Sequence, residues 1–168
     1  MVNSSERFRA ITAELKSMVE ADQAMRNGDQ WDETVDHQNT KRMKVIVEEI
    51  GWPTISKVGY PGSSSAWLLV QHADHDSEFQ KKCLTIMKAE PENEVPKDHI
   101  AYLEDRIAVG DGRLQIYGTQ FHTNADGQLQ PLPICDPEGV DQRRKEMWLE
   151  PLSNNQKRIQ ESYDRNSA

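Results

Sequence analysis

The chain has 168 residues, 36% of them apolar and 29% charged, enough for one domain with a real core. Its formal net charge of -8 disfavours nucleic acid and anionic membrane surfaces as partners, and the basic group Arg143, Arg144 and Lys145 is too small a patch to read a nucleic acid. No run approaches the ~18 apolar residues of a membrane span, and the start MVNSSERFRA is polar where a secretory leader would be apolar, so a soluble cytoplasmic protein is expected.

From Ser5 to Met25, the residues Phe8, Ile11, Leu15, Met18 and Val19 recur at helical spacing, with Ser4 or Ser5 as the cap. One further turn carries that stripe to Asp22 and Arg26, an acid and a base four apart on the core side: a buried ion pair, part of a pocket, or an end-of-helix pair half in water. Asn27-Gly28 stops the helix and a polar link, DQWDET, follows. A second helix from Thr34 to Ile50 has Met43, Ile46 and Ile50 inside, and stepping back along its stripe gives Asn39 and Asp36. Lys57 to Ser65, with Gly59, Pro61 and Gly62, predicts a loop that ends in a serine cap.

Ala66 to Val70 is a continuous apolar run, suited to a helix buried on all sides and ending near Asp74. Gln71, His72, Asp74, His75 and Asp76 follow directly. Asp76 reads as the cap of the next helix, whose inner side is Phe79, Cys83, Ile86 and Met87. Pro96 opens a helix with Ile100, Leu103 and Ile107 inside and Asp105-Arg106 on its flank. The period then changes: Leu114, Ile116 and Gly118 alternate with Gln115, Tyr117 and Thr119, and Asp126-Gly127 precedes Leu129 and Leu132, which predicts a β-hairpin. A short helix places Val140, Arg144, Met147 and Trp148 inward, and 153–168 is a polar C-terminal helix or tail. The expected fold is mainly α, a single domain over 1–152 with about six helices and one hairpin. Cys83 and Cys135 share no CxxC spacing and are expected as reduced core residues.

The chemistry is expected where the buried helix ends. A histidine there, oriented by a carboxylate, could move a proton near neutrality, with His72 as base or acid, His75 as its neighbour and Asp36 orienting the imidazole. Asp22 and Arg26 would line the same pocket. Gln71, Asn39, Tyr117 and Gln120 would orient a small polar substrate, while Arg26, Arg106 or Arg144 would hold a carboxylate or phosphate. A divalent metal on His72, His75 and Asp74 is a second possibility, although HADHD lacks the HExxH spacing. No GxSxG, GxGxxG or P-loop occurs. Two readings without catalysis stay open: a buried polar network that only fixes how helices meet, and an acidic, neutralising or immunity-type module that binds a basic protein partner.

The elements GWP (Gly51 to Pro53), VQHADHD-EFQ (Val70 to Gln80), DR (Asp105, Arg106), QIYGTQ (Gln115 to Gln120) and RR (Arg143, Arg144) resemble those of an uncharacterised, mainly bacterial family of unknown function. The resemblance runs from about Asp22 to Leu152. It implies a shared site and names no reaction. One departure is Trp148, where the resemblance implies a small residue.

Overall fold

A computed structural model describes residues 3–28 and 31–167. Met1 and Val2 of the polar start, Asp29 and Gln30 of the polar link, and Ala168 of the tail lie outside the described residues. Among the described residues the fold is mainly helical, with seven helices and one antiparallel two-stranded hairpin. The chain divides into two compact units, Met1–Pro96 and Lys97–Ala168.

The first unit holds α1 (Ser4–Asn27), α2 (Glu33–Ile50), α3 (Ile55–Gln71) and α4 (Ser77–Ala89). Helices α1, α2 and α3 pack on one another, and α4 packs on α3. Their apolar stripes meet in a core of Ile11, Leu15, Met43, Ile46, Leu69, Val70, Cys83 and Met87. Side-chain caps satisfy the first amides of three helices. Asp32 accepts from the Thr34 amide, and Asp76 accepts from that of Phe79, the role its position predicts. At α1 the cap is one residue earlier than expected: Asn3 accepts from Ser5 N.

The main departure from the expected elements is in α3, which includes the Lys57–Ser65 stretch expected as a loop. Gly59, at φ 72° and ψ 167°, breaks the helix, and Pro61 falls in the first turn after the break, where a missing N–H costs nothing. The Gly and Pro residues thus build a kink in place of a loop. Ser63 to Ser65 lie inside the helix rather than capping it; the Ser65 hydroxyl donates to Pro61 O at 2.9 Å, and Ser63 is fully buried. The helix ends at Gln71 with His72 as its C-cap, three residues before Asp74.

The second unit holds α5 (Lys97–Gly110), β1 (Phe121–Thr123), β2 (Leu129–Pro131), α6 (Val140–Glu146) and α7 (Leu152–Ser167). The hairpin turn is built as the sequence suggests, with the Asn124 side chain accepting from Asp126 N and Gln128 N, and Gly127 at φ 78°. Helix α7 holds β2 through glutamines: Gln160 Oε1 accepts from Leu129 N, and Gln156 Nε2 donates to Leu129 O.

Residues 114–119, expected as the first hairpin strand, are irregular apart from a single parallel bridge between Gln115 and Ile134, and three buried polar side chains supply most of the hydrogen bonds a strand partner would have made. Asp105, expected on a helix flank, is fully buried and accepts from the backbone amides of Ile116, Tyr117 and Thr119 and from the Thr119 hydroxyl, at 2.7 to 3.2 Å. Gln115 donates to Gln120 O and Leu132 O and accepts from Gln120 N. Arg144 donates to the carbonyls of Tyr117, Gly118 and Glu150. Removing the Asp105 carboxylate would orphan three backbone donors at once. Asp105→Ala is therefore expected to lower the unfolding free energy by about 3 kcal/mol, read from urea denaturation.

Trp148 was expected to face inward; it is 57% exposed and sits at φ 58°. It follows the α6 C-cap, Met147, where Leu149 N donates to Arg144 O and Trp148 N to Lys145 O, the hydrogen-bond pattern that favours glycine at its position. The small residue implied by the resemblance has this backbone reason. Trp148→Gly is expected to stabilise the protein by about 1 kcal/mol in the same assay, because an L side chain in this region is strained.

Candidate functional site

Where α3 runs out, the C-cap His72 meets α1 and the start of α2. Asp22 and Arg26 lie one turn apart on α1, and Asp36 lies in the first turn of α2. His72 Nδ1 is 2.7 Å from Asp22 Oδ1, and Arg26 Nε is 3.2 Å from that same oxygen. Arg26 Nη2 donates to Asp36 Oδ1 at 2.7 Å. Asp22 has no exposed surface, and its second oxygen accepts from Gln23 Nε2 at 2.8 Å. The His72 and Arg26 side chains keep 16% and 22% of their surface, so the cluster is buried on its acid side and open to solvent on its base side.

A donor and an acceptor compete for one nitrogen. His72 Nδ1 also stands 3.0 Å from Arg26 Nε, a contact in which Nδ1 must accept, whereas the Asp22 contact requires Nδ1 to donate. A neutral imidazole can satisfy either, but not both. The Asp22 contact is shorter and its acceptor is charged, so the tautomer with the proton on Nδ1 is favoured. The orienting carboxylate is therefore Asp22, in place of Asp36, which holds Arg26.

Asp22, Asp36 and His72 are also the group whose ligand atoms all lie within 4.8 Å of one another among the described residues. This is not the expected set of His72, His75 and Asp74. His75 instead packs its ring on His37, with centroids 3.9 Å apart, and Asp74 accepts from Gln80 Nε2. A metal on the observed trio would have to displace the Arg26 guanidinium, which already bridges both carboxylates. The site has its cation built in, and these residues do not fit a metal as they stand.

The other expected residues divide by unit. Asn39, one turn beyond Asp36 on the same face of α2, is buried, and its Nδ2 makes no hydrogen bond. Gln71 is buried at the last position of α3, where its carbonyl accepts from Gln80. Arg106, Tyr117, Gln120 and Arg144 belong to the second unit. Arg144 has no exposed surface and three carbonyl acceptors, which gives it a structural task in place of anion binding. Tyr117 reaches Glu104 at 3.4 Å, and burial together with that carboxylate pushes its phenol up to about 12. Gln120 Nε2 donates to the Thr119 hydroxyl, and Arg106 is half-buried on α5.

Sequence reasoning overlooked two aromatic groups here. Trp31 lies in the polar link and covers Arg26, with the guanidinium carbon 4.8 Å from the ring centroid. His37 sits on the exposed face of α2 next to Asp36. The sequence signal for each was adjacency to the polar stripe; neither lies on an apolar one.

A family model described as a family of unknown function, DUF6624, matches residues 9–167. The chain belongs to that family. No curated protein and no solved structure matches it. The DUF6624 match spans both units, so the His72 cluster and the Asp105 loop lie within one family domain model.

Neither cysteine joins the site. Cys83 is in the core, and desolvation pushes its thiol up to about 12. Cys135, expected in the core, is exposed between Ile134 and Asp136 in the segment before α6. A thiol reagent at pH 8 is expected to label Cys135 rapidly in the native protein and Cys83 only on unfolding, as counted by mass spectrometry.

Proposed function

We propose that this DUF6624 protein is a small cytoplasmic enzyme that moves a proton on a small polar or anionic substrate through His72. The observation that carries the reading is the fully buried Asp22 carboxylate at 2.7 Å from Nδ1 of an imidazole that remains partly exposed. A buried acid behind a solvent-facing base is the arrangement that fixes a tautomer and stabilises the imidazolium formed on proton uptake.

With the Nδ1 proton directed at Asp22, Nε2 carries the lone pair and acts as the base. Once Nε2 has taken a proton, the cluster holds two carboxylates, one guanidinium and one imidazolium, and its charges balance. Return of that proton from Nε2 to the product completes the cycle and restores the Nδ1–H tautomer, so the imidazole begins as base and finishes as acid while Nδ1 stays hydrogen-bonded to Asp22. Arg26, with part of its side chain open to water, offers charge to an anionic substrate group, and Trp31 and the His37–His75 pair contribute exposed ring surface near the cluster.

The test is a thermal-shift screen of small hydroxy, amino and carboxylic compounds, followed by mass spectrometry of reactions with each hit. A compound converted by the wild-type protein should be converted about 100-fold more slowly by His72→Gln. Equal conversion by His72→Gln would rule out His72 as the acid–base group. The net charge of -8 favours a second reading, an acidic module that neutralises a basic protein without catalysis. That reading predicts tight binding of a basic partner, unchanged by His72→Gln.

A further inference from the structure

We propose that the groove between α1 and the first half of α3 binds a free long-chain acyl carboxylate. The groove is a cavity of about 760 Å³, within the ~300–1,000 Å³ range of small-molecule sites. It extends along α1 from Ser5 to Lys16, about 16 Å at the helical rise. None of its lining residues belongs to the His72 cluster, and all lie in the first unit.

Phe8, Ala13, Val58 and Pro61 give it apolar lining, beside the hydroxyl-bearing Ser5, Thr12, Ser56 and Ser65. The kink at Gly59 helps shape it, and Gly62 has no room for a side chain, because a Cβ there would stand 2.8 Å from Val58 Cβ. Every charged residue lining the groove is a cation, Arg9, Lys16 and Lys57, in a chain whose net charge is -8. The Lys57 ammonium is spent on the carbonyls of Ile50 and Trp52. Arg9 and Lys16 are spent on little: Arg9 touches the Ser5 hydroxyl at 3.2 Å, and Lys16 is 3.7 Å from Glu20 with both side chains mostly in water. An apolar trough with two recruitable cations on its rim is complementary to an apolar chain bearing one carboxylate. The flanking helices pair their own backbone groups, so the walls offer no open edge to an extended peptide.

The experiment is isothermal calorimetry of the full chain with laurate, with dodecanol as the neutral control and phosphatidylglycerol vesicles as a membrane control. One saturable site is expected below the concentration at which laurate self-associates. Binding should weaken by about tenfold for dodecanol, for the Arg9→Glu/Lys16→Glu variant, and for Ala13→Trp, which fills the trough and leaves its charge intact. Both variants change exposed positions, and circular dichroism checks that they fold. Absence of saturable laurate binding would overturn the proposal, as would equal affinity in either variant or for dodecanol. Binding to the vesicles alone would overturn it in favour of a membrane surface.

Discussion

A carboxylate removed wholly from water is tolerated only where its charge and its lone pairs are met, and Asp22 sets that requirement at the centre of the first unit. Three side chains meet it: His72 from the end of α3, Arg26 from the next turn of α1, and Gln23 beside it. Because Arg26 is drawn to Asp22, its remaining donors reach Asp36, and the first turn of α2 is tied to the same point. Because His72 is the C-cap of α3, the helix must stop at Gln71 for the imidazole to arrive. One buried charge therefore specifies where three helices meet, while the apolar stripes supply the bulk of the burial. Deleting Arg26 would leave the buried Asp22 carboxylate without its fixed countercharge, a cost of about 3 kcal/mol.

The same logic recurs in the second unit with the backbone as the beneficiary. Asp105, Gln115 and Arg144 are all fully buried, and between them they meet amides and carbonyls across residues 116–120 that no strand or helix pairs. Asp105, Gln115 and Arg144 thus have structural employment, whereas Asp22, Arg26, Asp36 and His72 meet one another and leave charge and proton capacity at a partly exposed histidine. That contrast, more than the mere presence of buried polar groups, separates a candidate site from a scaffold.

Much of this was legible in the sequence, and the parts that were not have common causes. Helices α1, α2, α4 and α5 followed from 3.6-residue apolar periodicity and from stop and cap signals such as Asn27-Gly28 and Asp76. The polar residues on those stripes, Asp22, Arg26, Asp36 and Asn39, were found because helical geometry fixes which face they share. Gly59-Tyr60-Pro61-Gly62 misled because the residues that open a loop are also those that permit a kinked, closely packed helix start. The alternation in 114–119 misled because period two marks any extended segment, and partnership with buried side chains in place of a strand is invisible locally. Asp36 was given the orienting task that Asp22 performs because spacing identifies a shared face but not which oxygen reaches Nδ1. Tyr117, Gln120 and Arg144 drew attention as polar residues near apolar ones, and only their hydrogen bonds reveal that Arg144 serves the loop.

The measurement that bears most directly on the Asp22–His72 account is ¹⁵N NMR of the His72 imidazole across a pH titration, in the wild-type protein and in Asp22→Asn. With Asp22 present, the neutral ring should carry its proton mainly on Nδ1, the nitrogen 2.7 Å from the carboxylate. In Asp22→Asn the population should move toward the Nε2–H tautomer as Arg26 becomes the stronger partner of Nδ1. The same tautomer and titration in both proteins would contradict the account.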